Sequence, residues 1–175
     1  MFIRSPRLFL RPAWPEDRDE LLALSAARED VRARIDGVLF DRGPTALRSA
    51  GFVVTVPDGR GATPVGALKI DARRDHAELM VWIADAFRGE GLGAEALAAV
   101  MPLACVLGHR TLVIRVEATD GASLRTVRRF GFVPNGEVLH RPGRPLLATY
   151  VRSSVGPNTC DDPHRVRDTG QPLAA

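Results

Sequence analysis

Three residue types are scarce in this chain of 175 residues: it contains two cysteines, one lysine and one tyrosine. Cys105 and Cys160 lie far apart in the sequence, so we expect no disulfide, and a reducing cytoplasm is the default compartment. Because Lys69 is the single lysine, the net charge of +3 comes from arginines that are scattered along the chain. We attribute this bias to a GC-rich bacterial genome. Nucleic acid is not expected as a ligand, since its binding needs basic residues clustered on one face.

Long hydrophobic runs are absent as well. The longest apolar stretch, from Ala94 to Leu107, is interrupted by Glu95 and is shorter than the roughly 20 residues that a membrane-spanning helix needs. The N-terminal segment MFIRSPRLFLRP lacks the apolar core and the cleavage site of a secretory signal. We therefore expect no membrane partner, and the length and the 45% hydrophobic content are typical of one globular domain.

Hydrophobic periodicity and turn residues predict an α/β (α+β) domain over residues 1–152. Strands are predicted at RLFLRP, GFVVTVPDG, TLVIRVEA, VPNGEVLHR and PLLATYVR, with further strands in PVGALKIDARRDHAELMVWI. Helices are predicted at PEDRDELLALSAA, at AEALAAVMPLACVLG with a kink at Pro102, and at DGASLRTVRRFGF with Asp120 as N-cap. Residues 28–50 leave their boundaries open and suggest one more short helix. Residues 153–175 are polar and without a period, which predicts a disordered tail.

The segment AFRGEGLGAEAL raises the functional question. Gly89, Gly91 and Gly93 alternate directly before a helix, and glycine lets backbone N–H groups approach a ligand closely because no Cβ stands in the way. The start of a helix adds unpaired N–H donors and the positive end of its dipole. Together with Arg88, these features indicate a site for an anion such as a phosphate.

Two other interpretations of this loop stay open. Gly89, Gly91 and Ala94 fit the dinucleotide pattern G-x-G-x-x-A, and Glu117 ends the next strand where that fold places an acidic residue. Against this interpretation, the residues ADAFR intervene between Ile83 and the first glycine, and few strand and helix units follow. The remaining interpretation is a glycine-rich turn without a ligand.

The segment AELMVWIADAFRGEGLGAEAL resembles the acetyl-CoA-binding region of the GNAT acetyltransferases, whose signature is R/Q-x-x-G-x-G/A. Arg88, Gly91 and Gly93 occupy its fixed positions. The downstream segment ATDGASLRTVRRFGF is similar to the family's N-x-A-S segment, and RLFLRPAWPEDRDEL is similar to its first strand and helix. The combination most resembles the RimJ/RimL-like branch, which includes acetyltransferases of protein N-termini.

This resemblance implies a single domain with a mixed, mostly antiparallel sheet of six or seven strands flanked by helices. Acetyl-CoA is expected in a cleft between two splayed central strands, with a backbone N–H near Ile83 polarising the thioester carbonyl. The residues implied in binding the coenzyme are Val81, Trp82, Ile83, Ala84, Arg88, Gly89, Glu90, Gly91, Leu92, Gly93, Ala94 and Asp120.

The resemblance also implies catalytic roles. Glu78 is expected as the general base that takes the proton of the attacking amine, with His76 and Asp75 as substitutes. Where many relatives have a tyrosine acid, this chain has Val127, and Tyr150 falls at another point of the pattern. Ser123 is therefore the candidate donor to the departing sulfur.

Asp120 stands where the family usually has asparagine, which adds a negative charge near an anionic ligand. The implied reaction is transfer of an acetyl group to a primary amine, on a protein N-terminus or a small molecule, without a metal. The acceptor pocket is expected from Ser25 to Ala50, and a homodimer stays open. The alternative is a catalytically weak GNAT-like domain that binds coenzyme A as a sensor or partner-binding module.

Overall fold

The computed structural model describes residues 1–25, 31–32, 35–36, 48–59 and 61–153. Three predictions lie wholly or largely outside these residues: the disordered tail over 153–175, the absence of a disulfide, which involves Cys160, and most of the acceptor pocket from Ser25 to Ala50. Of the predicted tail, Ser153 alone is described, and it is the last residue of a strand. In that last region, residues 31–32 and 35–36 are helical, in agreement with the short helix suggested there.

Eight strands form one sheet in the order β1-β2-β3-β4-β5-β6-β8-β7. The strands are β1 (Ile3–Arg4), β2 (Phe9–Pro12), β3 (Ala50–Asp58), β4 (Gly61–Ala72), β5 (Ala77–Ile83), β6 (Thr111–Glu117), β7 (Val133–Leu139) and β8 (Leu147–Ser153). Seven of them were predicted. The eighth, β1, has two residues, which is too short to produce a period in the sequence.

Among the described strands, β5 and β6 are the one parallel pair, and all other neighbours are antiparallel. The predicted α/β domain with a mixed, mostly antiparallel sheet is therefore confirmed. The dinucleotide interpretation of the glycine loop is wrong, because it requires a doubly wound, mostly parallel sheet.

Three helices are described over their full length: α1 (Asp17–Leu24), α2 (Leu92–Val106) and α3 (Gly121–Arg129). The helix α2 continues through Pro102 as one element, and most of its apolar side chains are buried. Gly108 and Gly131 follow the ends of α2 and α3 with φ of +79° and +77°, the left-handed conformation that closes a helix at low cost when no Cβ is present.

The sheet has an apolar layer on each face. On one face, side chains such as Leu79 and Ile83 of β5 pack with Leu97 and Val100 of α2. On the other face, Trp82 joins a smaller cluster that includes Leu21 of α1, together with Val31 and Ile35. Because successive side chains of a strand point to opposite faces, β5 contributes to both layers and is held in the centre of the molecule.

The strands β5 and β6 pair over only part of their length. Residues 77–79 of β5 pair with residues 112–114 of β6, and the residues that follow in the two strands, 80–83 and 115–117, do not pair with each other. On its other edge, β6 pairs along its whole length with β8. The two central strands therefore open into a cleft at their carboxyl ends, as the family resemblance implied.

Candidate functional site

The glycine loop lies at the open end of this cleft. A turn of 3₁₀ helix, Asp85–Phe87, leads the chain away from β5. Gly89 and Gly91 then adopt φ of +85° and +78°, and α2 begins at Leu92. Any other residue would be strained at these two φ values. This local geometry explains the glycine spacing seen in the sequence.

The N–H groups of this loop are free to bind a ligand. The first backbone hydrogen bond of α2 runs from the N–H of Glu95 to the carbonyl of Gly91, at 3.1 Å, and no side chain caps the helix. Within the described part of the chain, the N–H groups from Gly89 to Ala94 have no hydrogen-bond acceptor. Six donors at the positive end of a buried helix make a site suited to a phosphate.

Arg88 closes the loop against the end of β5. Its Nε lies 3.0 Å from a carboxylate oxygen of Asp85 and 3.3 Å from the carbonyl oxygen of Ile83. The side chain is half exposed, so the guanidinium remains accessible to an anion. Arg88 also acts on Asp120 across the cleft, because its positive charge helps to lower the pKa of that carboxyl.

Backbone direction separates into two groups the residues from Val81 to Ala84, at and just after the end of β5, which were expected to contact the coenzyme. The N–H of Ala84 donates to the carbonyl of Val65 on the neighbouring strand β4, at 2.9 Å. Because peptide groups alternate along a strand, Ile83 and Val81 direct their N–H groups to the opposite edge, into the cleft. The N–H groups of Trp82 and Ala84 point to β4 instead. The side chains of these two residues are buried in the smaller apolar cluster.

Glu78 lies on the face of the sheet that carries α1. Its carboxylate forms an ion pair with Nη1 of Arg115 on β6, and a longer one of 3.9 Å with Arg73. Its cross-strand partner on β4 is Asp71, whose carboxylate lies 2.6 Å from the same Arg73 guanidinium. The hydrogen bond to Glu78 raises the pKa of Arg115, and partial burial opposes this effect. Glu78 is therefore positioned beside the opening of the cleft by two arginines.

Ser123 and Asp120 meet at the start of α3. Asp120 caps the helix by accepting hydrogen bonds from the N–H groups of Ala122 and Ser123, as predicted. The Ser123 hydroxyl also donates to Oδ2 of Asp120, at 2.7 Å. Burial alone would raise the pKa of Asp120, but these hydrogen bonds outweigh it and the pKa is lowered.

The substitute bases form a separate pair. Nδ1 of His76 lies 2.8 Å from an Asp75 carboxylate oxygen, and this hydrogen bond lowers the pKa of the exposed Asp75. Both residues line an open pocket of about 260 Å³, whose lining also includes Arg115, Asn135 and Glu137. Arg115 belongs to both sites, because it lines this pocket and also forms the ion pair with Glu78.

The structure leaves no tyrosine acid at the expected place. Val127 is buried in the main apolar layer, 2% exposed, where it packs under α3. The hydroxyl of Tyr150 accepts a hydrogen bond of 3.2 Å from Arg128, on the last turn of α3.

Arg7 reaches the glycine loop, although the sequence analysis did not include it among the site residues. Its Nη1 donates to the carbonyl of Glu90 at 3.0 Å, and its Nε lies 2.7 Å from Oε2 of Glu95. The backbone N–H of Arg7 and the hydroxyl of Ser5 bind the other oxygen of Glu95. No local pattern shows this contact, because the partners are more than 80 residues apart. The one signal in the sequence is the excess of acidic residues around the glycine loop, which the sequence analysis did not use.

A mixed sheet whose central strand pair opens beside six N–H groups at a helix start defines a class of α/β domain with a cleft of this shape. The family model described as "Acetyltransferase (GNAT) domain" matches residues 7–133. The chain belongs to the GNAT acetyltransferase family, and transfer of an acetyl group from acetyl-CoA to an amine is consistent with this membership.

Solved structures share the fold at low sequence identity. The acetyltransferase of Salmonella typhimurium that modifies the N-terminal serine of 50S ribosomal subunit protein L7/L12 is 20% identical, with a TM-score of 0.66 over 87% of this chain and 99% of that one. RimL in complex with coenzyme A is 19% identical, with a TM-score of 0.67 and coverages of 87% and 98%. A protein from Bordetella pertussis assigned to the GNAT family is 20% identical, with a TM-score of 0.69 and coverages of 87% and 99%.

A search of curated protein sequences gives no match to this chain. In the part of the chain that the structure describes, none of the helices has the length and apolar character needed to cross a bilayer.

Proposed function

We propose that this protein transfers an acetyl group from acetyl-CoA to a primary amine by direct attack within a ternary complex. The observation that carries the proposal is the opening of β5 and β6 beside the glycine loop. This opening leaves backbone donors of β5 unpaired next to the N–H groups of Gly89–Ala94. The arrangement suits a ligand that joins a diphosphate to a long, amide-containing arm.

In this proposal, the N–H groups from Gly89 to Ala94 hold the pyrophosphate, and Arg88 adds a charged contact. The pantetheine arm lies along β5 and pairs with the backbone of Val81 and Ile83. The N–H of Ile83 then donates to the thioester carbonyl, whose oxygen gains negative charge as the amine attacks.

Proton transfers complete the reaction. The neutral amine attacks the carbonyl carbon, and collapse of the tetrahedral intermediate breaks the carbon–sulfur bond and releases the coenzyme A thiolate. Glu78, oriented by Arg115, takes the proton that the amine loses, directly or through water. The hydroxyl of Ser123 turns from Asp120 to donate a hydrogen bond to the departing sulfur. Solvent supplies the proton that converts the thiolate to the thiol, and Glu78 returns the amine proton to solvent.

We propose a protein N-terminus or a small-molecule amine as the acceptor. The structural relatives that modify ribosomal protein L7/L12 support the first choice. We also propose that the protein acts in a bacterial cytoplasm, which the arginine bias and the two widely separated cysteines support.

Thiol release from acetyl-CoA tests the proposal when it is measured with a panel of N-terminal peptides, aminoglycosides and polyamines. Glu78→Gln is expected to keep the thermal stabilisation by coenzyme A and to lower kcat by about 10²- to 10⁴-fold. Asp75→Asn and His76→Gln serve as matched controls that retain activity. If one of these controls lost activity and Glu78→Gln kept it, the base would be reassigned to that pair.

A second candidate is a catalytically weak domain that binds coenzyme A as a sensor or partner-binding module. The arrangement of the proposed catalytic groups favours it: Glu78 is ion-paired with Arg115, and the Ser123 hydroxyl is occupied by Asp120. Thermal stabilisation by coenzyme A without acceptor-dependent thiol release across the panel would support this candidate over the enzyme.

A further inference from the structure

The proposed phosphate site carries an unfavourable charge of its own. Residues 85–95 contain three acids, Asp85, Glu90 and Glu95, against a single base, Arg88, which leaves a net charge of −2. A pyrophosphate brought to this loop would add negative charge to a segment that is already negative. Backbone dipoles act over short distances, so the site needs a cation from outside its own segment.

Arg7 supplies a cation at this place. It precedes β2, and the fold brings it against the first turn of α2. Its Nε lies 2.7 Å from Oε2 of Glu95 and its Nη1 lies 3.0 Å from the carbonyl oxygen of Glu90. Its Nη2 lies 3.7 Å from the point that a Cβ on Gly91 would occupy, so the guanidinium extends over the middle of the loop.

The contacts of Arg7 leave one nitrogen available. Nε and Nη1 are engaged, and within the described residues Nη2 has no hydrogen-bond partner. The side chain is 51% exposed, whereas that of its partner Glu95 is 14% exposed. An ion pair with one half-exposed member contributes little to folding, but a guanidinium fixed in place with a free N–H edge suits a phosphate oxygen.

We propose that Arg7 is the second cation of the pyrophosphate site, where it neutralises Glu95 and donates from Nη2 to a phosphate oxygen over Gly91. This inference rests on the proposed function and adds a residue that the family signature does not include. Arg88 would bind from the β5 side and Arg7 from the side of the N-terminal strands, with the six N–H groups between them.

The test compares Arg7→Gln with Arg4→Gln. Arg4 is an exposed arginine on β1, so its substitution removes the same charge from the same hairpin without touching the loop. Calorimetry measures the Kd of coenzyme A and the Kd of pantetheine, which lacks the phosphates. Arg7→Gln is expected to weaken coenzyme A about tenfold or more and to leave pantetheine unchanged, while Arg4→Gln changes neither. The salt dependence of coenzyme A binding should also become shallower in Arg7→Gln.

Two results would overturn the inference. Equal coenzyme A affinity in Arg7→Gln and Arg4→Gln would show that Arg7 does not bind the phosphate. Parallel loss of coenzyme A and pantetheine would show that Arg7 only supports the structure of the loop. If Arg7→Gln does not fold, Arg7→Lys provides the test, because it keeps the charge and loses the planar guanidinium. This variant should weaken coenzyme A binding by less than tenfold and leave pantetheine binding unchanged. Failure of the unmodified protein to bind coenzyme A would instead overturn the proposed function.

Discussion

The hydroxyl of Ser123 donates a hydrogen bond of 2.7 Å to the carboxylate of Asp120, and the same carboxylate accepts the N–H of Ser123 at 3.0 Å. One side chain therefore caps α3 and also occupies the hydroxyl that we propose for the departing sulfur. Asparagine, which the family usually has here, would cap the helix without a charge. This difference allows the two roles of Asp120 to be separated by experiment.

We predict that Asp120→Asn tightens coenzyme A binding several-fold and does not lower kcat, because it removes a negative charge near the phosphates and weakens the hold on the Ser123 hydroxyl. The stability should change by less than about 1 kcal/mol, since asparagine is as good an N-cap as aspartate. Calorimetric Kd, kcat and thermal unfolding measure these effects. Weaker coenzyme A binding in the variant would contradict this prediction, because it would show that the Asp120 carboxylate strengthens coenzyme A binding.

Ser123→Ala tests the other partner of this hydrogen bond. We predict that kcat falls about tenfold or more, because a hydroxyl that assists the thiolate is removed, while the Kd of coenzyme A stays within about twofold. The control is Thr126→Ala on the same helix, whose hydroxyl donates to the carbonyl of Ala122. Equal kcat in the two variants would exclude Ser123 from the reaction.

Gly66 is expected to be indispensable for the position of β5. A Cβ at this residue would lie 2.1 Å from the carbonyl oxygen of Trp82 and 3.0 Å from Cα of Ile83. Gly66→Ala must therefore push β5 away from β4. We predict a loss of about 1–3 kcal/mol in the free energy of unfolding, together with weaker coenzyme A binding. Gly59→Ala, where a Cβ meets no atom within 4 Å, is the control that should change neither quantity.

Gly91→Ala tests the conformation of the loop. An alanine at φ of +78° costs about 1–2 kcal/mol, and the resulting shift should remove the thermal stabilisation by coenzyme A. Gly143→Ala is matched to it, with φ of +70° and no atom within 4 Å of a Cβ. Both variants should lose similar stability, and Gly143→Ala should bind coenzyme A normally. Normal coenzyme A binding by Gly91→Ala would refute the assignment of this loop as the phosphate-binding site.

The pH dependence of stability should show the ion pair that anchors α1. Asp17 is buried and accepts two hydrogen bonds from Arg11, at 2.6 and 2.8 Å. Burial alone would raise its pKa, but the hydrogen bonds from Arg11 and from the N–H of Trp14 outweigh it and lower the pKa below 3.8. The carboxylate therefore stabilises the fold fully above about pH 4, and this contribution is lost as the pH falls through the lowered pKa.

Asp17→Asn should lower the free energy of unfolding by about 3 kcal/mol at neutral pH, because Arg11, whose side chain is 13% exposed, is left without its charged partner. The difference between the unmodified protein and this variant should narrow below about pH 4. Asp19→Asn, on the exposed side of the same helix, should have a small effect at every pH. A difference that stayed constant down to pH 2 would contradict the assigned role of Asp17.

Local chemistry made several elements predictable from the sequence. Alternation of apolar residues identified seven strands, since each is long enough to show which face is buried. Asp120 and Gly131 marked the ends of α3, because a cap and a left-handed residue are needed within a few positions of the helix itself. The two-residue β1 gave no such signal.

The sequence by itself determined the glycine loop and its partner helix, because Gly89, Gly91 and the first turn of α2 are neighbours along the chain and their conformation depends on local backbone sterics. The tertiary structure alone decided which distant groups meet there. It opened β5 from β6, turned the N–H groups of Val81 and Ile83 into the cleft, and placed Arg7 beside Glu95. Such contacts depend on strand register and on which face each side chain takes, and a change of one residue in register would reverse them.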